Sequence, residues 1–147
     1  MVTTYIGLIE EGQIAKQDNP SLLMKEILIR AEILKRDFTK RQMNILGAIF
    51  LFSYAYGKEW ALIPKMKDFE LAGISSIKIR SEIDQLIEMG VVKWNQEENL
   101  FRITDPSEWT TKYHNGYRGN RAKELVVLNL QHSGIDVERI IKLNNCE

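Results

Sequence analysis

Three glycines punctuate the middle of the sequence and limit the length of every element that can form there. Gly57 follows a long apolar stretch, Gly73 closes a short segment that begins after Pro64, and Gly90 follows the clearest amphipathic stretch of the chain. Glycine commonly ends helices because it adopts the left-handed backbone conformation at little cost. These breaks predict a series of short elements rather than a few long ones.

Two helices are predicted before the first of these glycines. Residues 21–34 carry apolar side chains at helical spacing, which predicts a helix of about four turns. Thr39 and Gln42 have the spacing of a capping box, in which the two residues satisfy each other's backbone N–H groups at a helix start. A second helix is therefore expected from Thr39 to Tyr56. It is apolar on nearly all sides, as is typical of the central helix of a small domain.

A short strand and a short helix are predicted next, followed by the amphipathic helix. Residues 60–63 are β-prone, and Pro64 favours a helix start at residues 65–72. Ser75 is the expected N-cap of the amphipathic helix. The apolar side chains of that helix, Ile79, Ile83, Leu86 and Ile87, share one face.

A β-hairpin completes this order. Residues 91–94 and 100–104 are β-prone and flank a polar turn. The sequence therefore predicts two helices, a strand, a short helix, a turn, an amphipathic helix and a hairpin. This is the plan of a winged helix-turn-helix, a mainly α fold with a small β-hairpin.

Composition changes on both sides of this unit, which predicts three regions. Residues 1–20 read as an N-terminal arm, residues 21–104 as a winged-helix DNA-binding domain, and residues 105–147 as a basic linker with short C-terminal helices at 125–130 and 137–143. With 147 residues in all, the chain has the length of one domain with an appended segment.

The net charge of zero conceals two basic clusters. Twenty Lys and Arg balance twenty Asp and Glu in the whole chain. Residues 35–41 nevertheless hold four cationic side chains and one carboxylate, and residues 107–123 hold the same. Basic segments with interleaved aromatic residues suit contact with phosphates, and can become ordered on binding. The alternative is an ordinary solvated surface.

Several classes of protein are not expected. The single cysteine, Cys146, allows no intrachain disulfide, which favours a reducing cytoplasm. The first residues lack the pattern of a signal peptide, and the most apolar run, residues 45–52, is shorter than the roughly 20 residues of a membrane helix. His114 and His132 with one cysteine match no metal-site or catalytic spacing. We therefore expect no membrane segment, no metal, no cofactor and no enzymatic activity.

The amphipathic helix would be the recognition helix, whose N-terminal exposed residues read the major groove. Ile77, Arg80, Ser81 and Asp84 share the face opposite the apolar stripe. Ile77 could pack on a thymine methyl group and Arg80 could donate two hydrogen bonds to guanine. Alternatively, Ile77 packs under the preceding short helix and the cations are merely solvated. The residues predicted to contact DNA here are Ser75, Ser76, Ile77, Lys78, Arg80 and Ser81.

Phosphate contacts are predicted from three further places. They are the start of the second helix (Lys40 and Arg41), the hairpin (Lys93 and Arg102) and the basic segment (Lys112, Arg118, Arg121 and Lys123). The hairpin is the wing of this fold, and Glu97 and Glu98 at its tip repel phosphates. We therefore do not expect the wing to insert deeply into a DNA groove.

Residues 21–104 resemble the N-terminal origin-binding domain of phage replication proteins similar to lambda protein O and of phage replisome organisers from Gram-positive hosts. Four stretches carry the resemblance, namely residues 22–28, residues 38–42, Tyr56 and Gly57 with Trp60 and Ile63, and residues 72–76 with 89–92. The resemblance implies binding of duplex repeats at a replication origin as a dimer, and delivery of a replicative helicase or its loader by a second region.

Two other functions fit the same elements. A transcriptional regulator would use the same helices on DNA. A winged helix that binds only protein would use Ile77 and Trp94 as apolar anchors and would have no affinity for DNA.

Overall fold

Four α-helices, three β-strands and three short 3₁₀ helices alternate along the residues that the computed structural model describes, which are 20–114, 121–136 and 138. The α-helices are α1 (Pro20–Lys35), α2 (Lys40–Leu51), α3 (Ser76–Glu88) and α4 (Arg121–His132). The strands are β1 (Trp60–Leu62), β2 (Val92–Asn95) and β3 (Leu100–Ile103), and the 3₁₀ helices are Tyr54–Tyr56, Met66–Ala72 and Pro106–Glu108. The predicted arm, apart from Pro20, and the predicted helix at 137–143, apart from Glu138, lie outside the described residues.

Helix α2 begins as predicted and ends earlier than predicted. The Thr39 N–H donates to Gln42 Oε1 at 2.9 Å, and the Gln42 N–H donates to Thr39 Oγ1 at 3.1 Å, which confirms the capping box. At the other end, Ser53 Oγ donates to the Ile49 carbonyl at 2.5 Å, and residues 54–56 tighten into a 3₁₀ turn. The predicted end at Tyr56 is wrong because the serine side chain offers the backbone an alternative hydrogen bond.

The core surrounds α2 on several sides. Ile45 and Ile49 of this helix are completely buried. They belong to one apolar cluster with side chains from every neighbouring element, including Ile29 of α1, Phe69 of the second 3₁₀ helix, Ile83 and Leu86 of α3, and Phe101 of β3. Burial of this apolar area is the main favourable term in folding.

The three strands form one antiparallel sheet in the order β1, β3, β2. Trp60, Arg102 and Lys93 align across it in one row. Because Phe101 and Ile103 of β3 are buried, Arg102 between them belongs to the outer face of the sheet. The predicted hairpin is confirmed, and the mainly helical fold with its small sheet has the architecture expected of a winged helix.

Residues 105–114 form a strap that packs on the helices. Trp109 is buried, and its Nε1 donates to Thr104 Oγ1 at 2.9 Å. Its indole meets the Phe38 ring edge to face, with centroids 5.8 Å apart. The Thr110 N–H donates to the Met89 carbonyl at 2.9 Å. Packing thus continues beyond Thr104, where the sequence analysis ended the winged-helix region.

Arg36 anchors the strap to α1. Its side chain is only 10% exposed, and its Nε donates to Glu32 Oε1 at 3.0 Å. One Nη donates to the Thr111 carbonyl at 3.0 Å, and the guanidinium lies over the Tyr113 ring at 4.8 Å. Burial alone would raise the pKa of Glu32, but hydrogen bonds from Tyr113, Lys35 and Arg36 outweigh it and hold that pKa below its ordinary value. Arg36, which the sequence analysis counted in a basic cluster, is therefore a structural residue.

Replacement of Arg36 by lysine is expected to destabilise the protein. Arg36→Lys keeps the charge but loses the planar fork that reaches the strap carbonyls, so the free energy of unfolding should fall by about 2 kcal/mol. Arg41→Lys is the control, because Arg41 is half exposed and its ion pair with Glu82 is long, at 3.7 Å; its loss should stay below about 0.5 kcal/mol. Urea unfolding measures both, and equal losses would contradict the anchoring role.

Gly90 lies where the strap crosses the end of α3. Its φ is +78°, and a Cβ built there would be 2.3 Å from the Glu108 carbonyl oxygen. Gly73 has the same φ, but a Cβ there would meet nothing within 4 Å. A comparison of substitutions at the two glycines therefore distinguishes the cost of a left-handed backbone from the cost of a clash with the strap.

The variant Gly90→Ala should be much less stable than Gly73→Ala. Both changes cost about 1–2 kcal/mol for a left-handed non-glycine residue. Only Gly90→Ala must also displace the strap, so its loss of unfolding free energy should exceed that of Gly73→Ala by at least about 1 kcal/mol. Thermal and denaturant unfolding of the two variants test this difference, and matching losses would exclude the close contact.

Candidate nucleic-acid interface

The exposed face of α3 has the composition that the sequence predicts for a recognition helix. Ile79, Ile83 and Leu86 are buried on the inner face. The six predicted contact residues, Ser75, Ser76, Ile77, Lys78, Arg80 and Ser81, are all exposed. Ile77 is 89% exposed, so the alternative in which it packs under the preceding 3₁₀ helix is wrong. An isoleucine with this exposure beside cations and hydroxyls is free to contact a partner.

The start of α3 is held against α2 and is open to solvent. Asn44 Nδ2 of α2 donates to the Ala72 carbonyl at 3.2 Å, just before the Gly73 turn. Ser75 has the extended backbone of an N-cap, but its side chain makes no capping hydrogen bond. Ser81 Oγ donates back to the Lys78 carbonyl at 3.0 Å. The positive end of the helix dipole therefore faces solvent beside two serines and Lys78.

Arg80 is held in place from two sides. Its Nε lies 3.1 Å and 3.3 Å from the two carboxylate oxygens of Asp84, one turn later in α3. Its guanidinium carbon lies 4.8 Å from the centre of the Trp94 ring, which belongs to β2. From sequence, Trp94 is expected only as an apolar anchor for a partner protein, and its contact with Arg80 is not predicted.

Trp94 is itself supported by two aromatic rings, and we call Trp94, Phe101 and Phe69 the aromatic column. The Trp94 and Phe101 rings are stacked, with centroids 5.5 Å apart and planes 7° apart. Phe101 meets Phe69 edge to face at 5.0 Å. The column runs from the second 3₁₀ helix through β3 to β2, and Arg80 lies on its outer end.

One residue of the second basic cluster, Lys112, comes next to the first cluster at the corner between α1 and α2. Lys40 and Arg41 are exposed at the start of α2, and Arg41 Nη1 lies 3.7 Å from Glu82 of α3. The Lys112 carbonyl accepts the Asp37 N–H at 2.7 Å, which brings the exposed Lys112 to this corner. Arg41 is therefore the predicted phosphate contact that the structure links directly to α3.

Lys93 and Arg102 lie on the face of the sheet opposite the aromatic column. Lys93 Nζ is 3.9 Å from Glu108. Arg102 Nη1 is 3.6 Å from Glu59, and its guanidinium lies over the Trp60 ring at 5.2 Å. The structure does not bring these two cations together with Arg80.

The wing tip has a defined shape and an acidic surface. Asn95 Oδ1 accepts the Glu97 N–H at 3.1 Å and the Glu98 N–H at 3.3 Å, and Asn99 adopts a left-handed φ of 56°. Glu97 and Glu98 are exposed. Shallow placement of the wing on a duplex stays a prediction, and it rests on the negative charge of these two side chains.

Two of the remaining predicted contacts, Arg121 and Lys123, lie in α4. Arg121 Nη1 is 2.6 Å from Glu124 one turn away. Lys123 is exposed and lines a groove that α4 shares with Leu28 and Lys35 of α1. Arg118 lies outside the described residues.

The described residues lack two kinds of feature. They include no helix that combines the length and the apolar character of a membrane span. They also include no group of three His, Cys, Asp or Glu side chains placed to hold a metal ion.

Comparison with known proteins matches most of the winged-helix region and part of the strap to one family model. The model of the family described as bacteriophage replication protein O matches residues 14–109, well over half of the chain. The match confirms the resemblance seen over residues 21–104, and it ends at Trp109 of the strap. Neither the curated proteins nor the solved structures include a significant match.

Proposed function

The chain belongs to the bacteriophage replication protein O family, and we propose that within phage DNA replication it binds a specific double-stranded sequence at a replication origin. The observation that carries the proposal is the outer face of α3. There Ile77 is 89% exposed and Arg80 is fixed beside it. When the protein binds a duplex, this face would lie in the major groove, where an isoleucine fits a thymine methyl group and an arginine fork fits guanine.

Phosphate contacts on both sides of the groove would hold the helix in register. We assign this role first to Lys40, Arg41 and Lys112, because they lie at the corner adjoining α3. Phosphates further along the DNA backbone would be contacted by Lys123, Arg121 and Arg118. We propose only an accessory role for Lys93 and Arg102, because their face of the sheet is turned away from Arg80.

The protein would act in the cytoplasm of the bacterial host, as a binding protein and not as an enzyme. We propose that it delivers a replicative helicase or its loader to the origin and binds repeated sites as a homodimer. Exposed apolar side chains along α2, Met43 and Leu51 on either side of Gly47, would support a contact between two copies.

Two alternatives are separable by experiment. A transcriptional regulator would bind promoters, whereas an initiator would bind repeats within the replication region. A winged helix that binds only protein would not bind any duplex at low salt, where phosphate contacts are strongest. Membership of a replication family favours the initiator over both.

Truncation of Ile77 should weaken binding to the specific site alone. Sites selected from a random duplex pool provide the specific probe. Ile77→Ala should lower affinity for the selected site by about 1 kcal/mol, and only where a thymine faces the side chain. Leu62→Ala is the matched control, since Leu62 is also exposed, at 53%, but lies on β1. Equal losses for Ile77→Ala on selected and random duplexes would contradict base contact.

Removal of the Lys112 charge should weaken binding to all duplexes alike. Lys112→Ala is expected to reduce the slope of log affinity against log salt concentration by roughly 0.9, the contribution of one phosphate contact. Lys58→Ala removes an exposed lysine elsewhere and should leave the slope unchanged. Fluorescence anisotropy across a salt series measures both slopes, and an unchanged slope for Lys112→Ala would remove Lys112 from the interface.

A further inference from the structure

Trp94 lies on the wing, yet its ring determines where the guanidinium of Arg80 can be. The guanidinium carbon is 4.8 Å from the ring centre, within the range of a cation–π contact. The indole is also stacked on the buried Phe101 ring, with only 7° between the planes. The indole therefore contacts both a charged group and a buried ring, and the buried ring fixes its position relative to the core.

Asp84 completes the restraint from within α3. Both carboxylate oxygens lie within hydrogen-bonding distance of Arg80 Nε, at 3.1 Å and 3.3 Å. This contact uses Nε, whereas Nη1 and Nη2 carry four of the five N–H donors of the guanidinium. The ion pair is exposed, with both side chains more than half accessible, and such a pair alone restrains an arginine weakly. The indole supplies the second point of contact that a fixed orientation requires.

We infer that Trp94 is a positioning residue for base recognition, which acts by holding Arg80 in the orientation that reads one base pair. The inference rests on the proposed function, because it concerns the same α3 surface. A long flexible arginine loses side-chain freedom when it binds, and an arginine already restrained in the free protein loses less. A restrained fork also adapts poorly to a wrong base, which increases discrimination.

The wing therefore contributes to specificity through Trp94, which acts on Arg80 and does not itself have to contact DNA. Its acidic tip opposes contact with phosphates, while its first strand, β2, presents the aromatic face of Trp94 to the recognition helix. This arrangement makes sequence preference depend on a residue outside α3. Substitution of Trp94 should accordingly change which sequences bind, and should change overall affinity for random duplexes little.

The test compares tryptophans on the two faces of the sheet in the full chain. Trp94→Leu removes the aromatic face, Trp94→Phe keeps a smaller one, and Arg80→Ala removes the guanidinium. Trp60→Leu is the matched control, because Trp60 also lies under an arginine, Arg102 at 5.2 Å, but on the outer face. Binding is measured on the selected site, on sites changed at single base pairs, and on a random duplex. Circular dichroism melts establish that each variant is folded.

Trp94→Leu should lose discrimination at the base pair read by Arg80 by roughly 5- to 150-fold, the range of one bidentate contact. Binding to the random duplex should change less than about twofold. Trp94→Phe should retain most of the discrimination, and Trp60→Leu all of it. In the double variant Trp94→Leu/Arg80→Ala, the loss of discrimination should be no larger than in Arg80→Ala alone, because Trp94 acts only through Arg80.

A readout without DNA separates this inference from the proposed function. The Arg80 Nε–H resonance should carry a ring-current shift that Trp94→Leu removes and Trp60→Leu leaves unchanged. Losses that add in the double variant, or equal losses on specific and random duplexes, would overturn the positioning role while DNA binding stands. Absence of the ring-current shift in the wild type would overturn it as well. Failure of the wild type to bind any duplex would overturn the proposed function, and with it the role of Trp94.

Discussion

The ring contacts of Phe101 with Trp94 and with Phe69 connect the sheet to the helices on which its position depends. One ring belongs to the second 3₁₀ helix, one to the central strand and one to the edge strand, and the last contacts Arg80 of α3. Aromatic pairs of this kind bury large areas and prefer particular angles. The column therefore sets both the distance and the orientation of the sheet relative to α3.

Local signals in the sequence were sufficient for most of the fold. The capping box of Thr39 and Gln42, the apolar stripe of α3 and the glycine breaks all act between residues close in the chain, and the structure confirms them. The end of α2 was predicted too late, because Ser53 competes for a backbone carbonyl. Arg36 was misjudged as a surface cation, since its partners in the strap lie about 70 residues further along the sequence.

The sequence predicts which residues belong to the candidate site, but it does not predict the contacts that hold their side chains in place. Helical spacing alone placed Ile77, Arg80 and Ser81 on the exposed face of α3. The partners of the cations could not be predicted in this way, because they come from other elements of the fold. Arg41 pairs with Glu82, Lys93 with Glu108 and Arg102 with Glu59. A neutral net charge thus has a local counterpart: several candidate contact cations already face a carboxylate. Contact with phosphates would exchange one anionic partner for another, which favours modest non-specific affinity.

The strap also determines where the rest of the chain starts. His114 Nε2 lies 2.9 Å from the Leu34 carbonyl, so the last residue before position 115 is fastened to the C-terminal end of α1. The strap therefore ends against α1, and a partner protein that bound at this end of the strap would contact α1 as well.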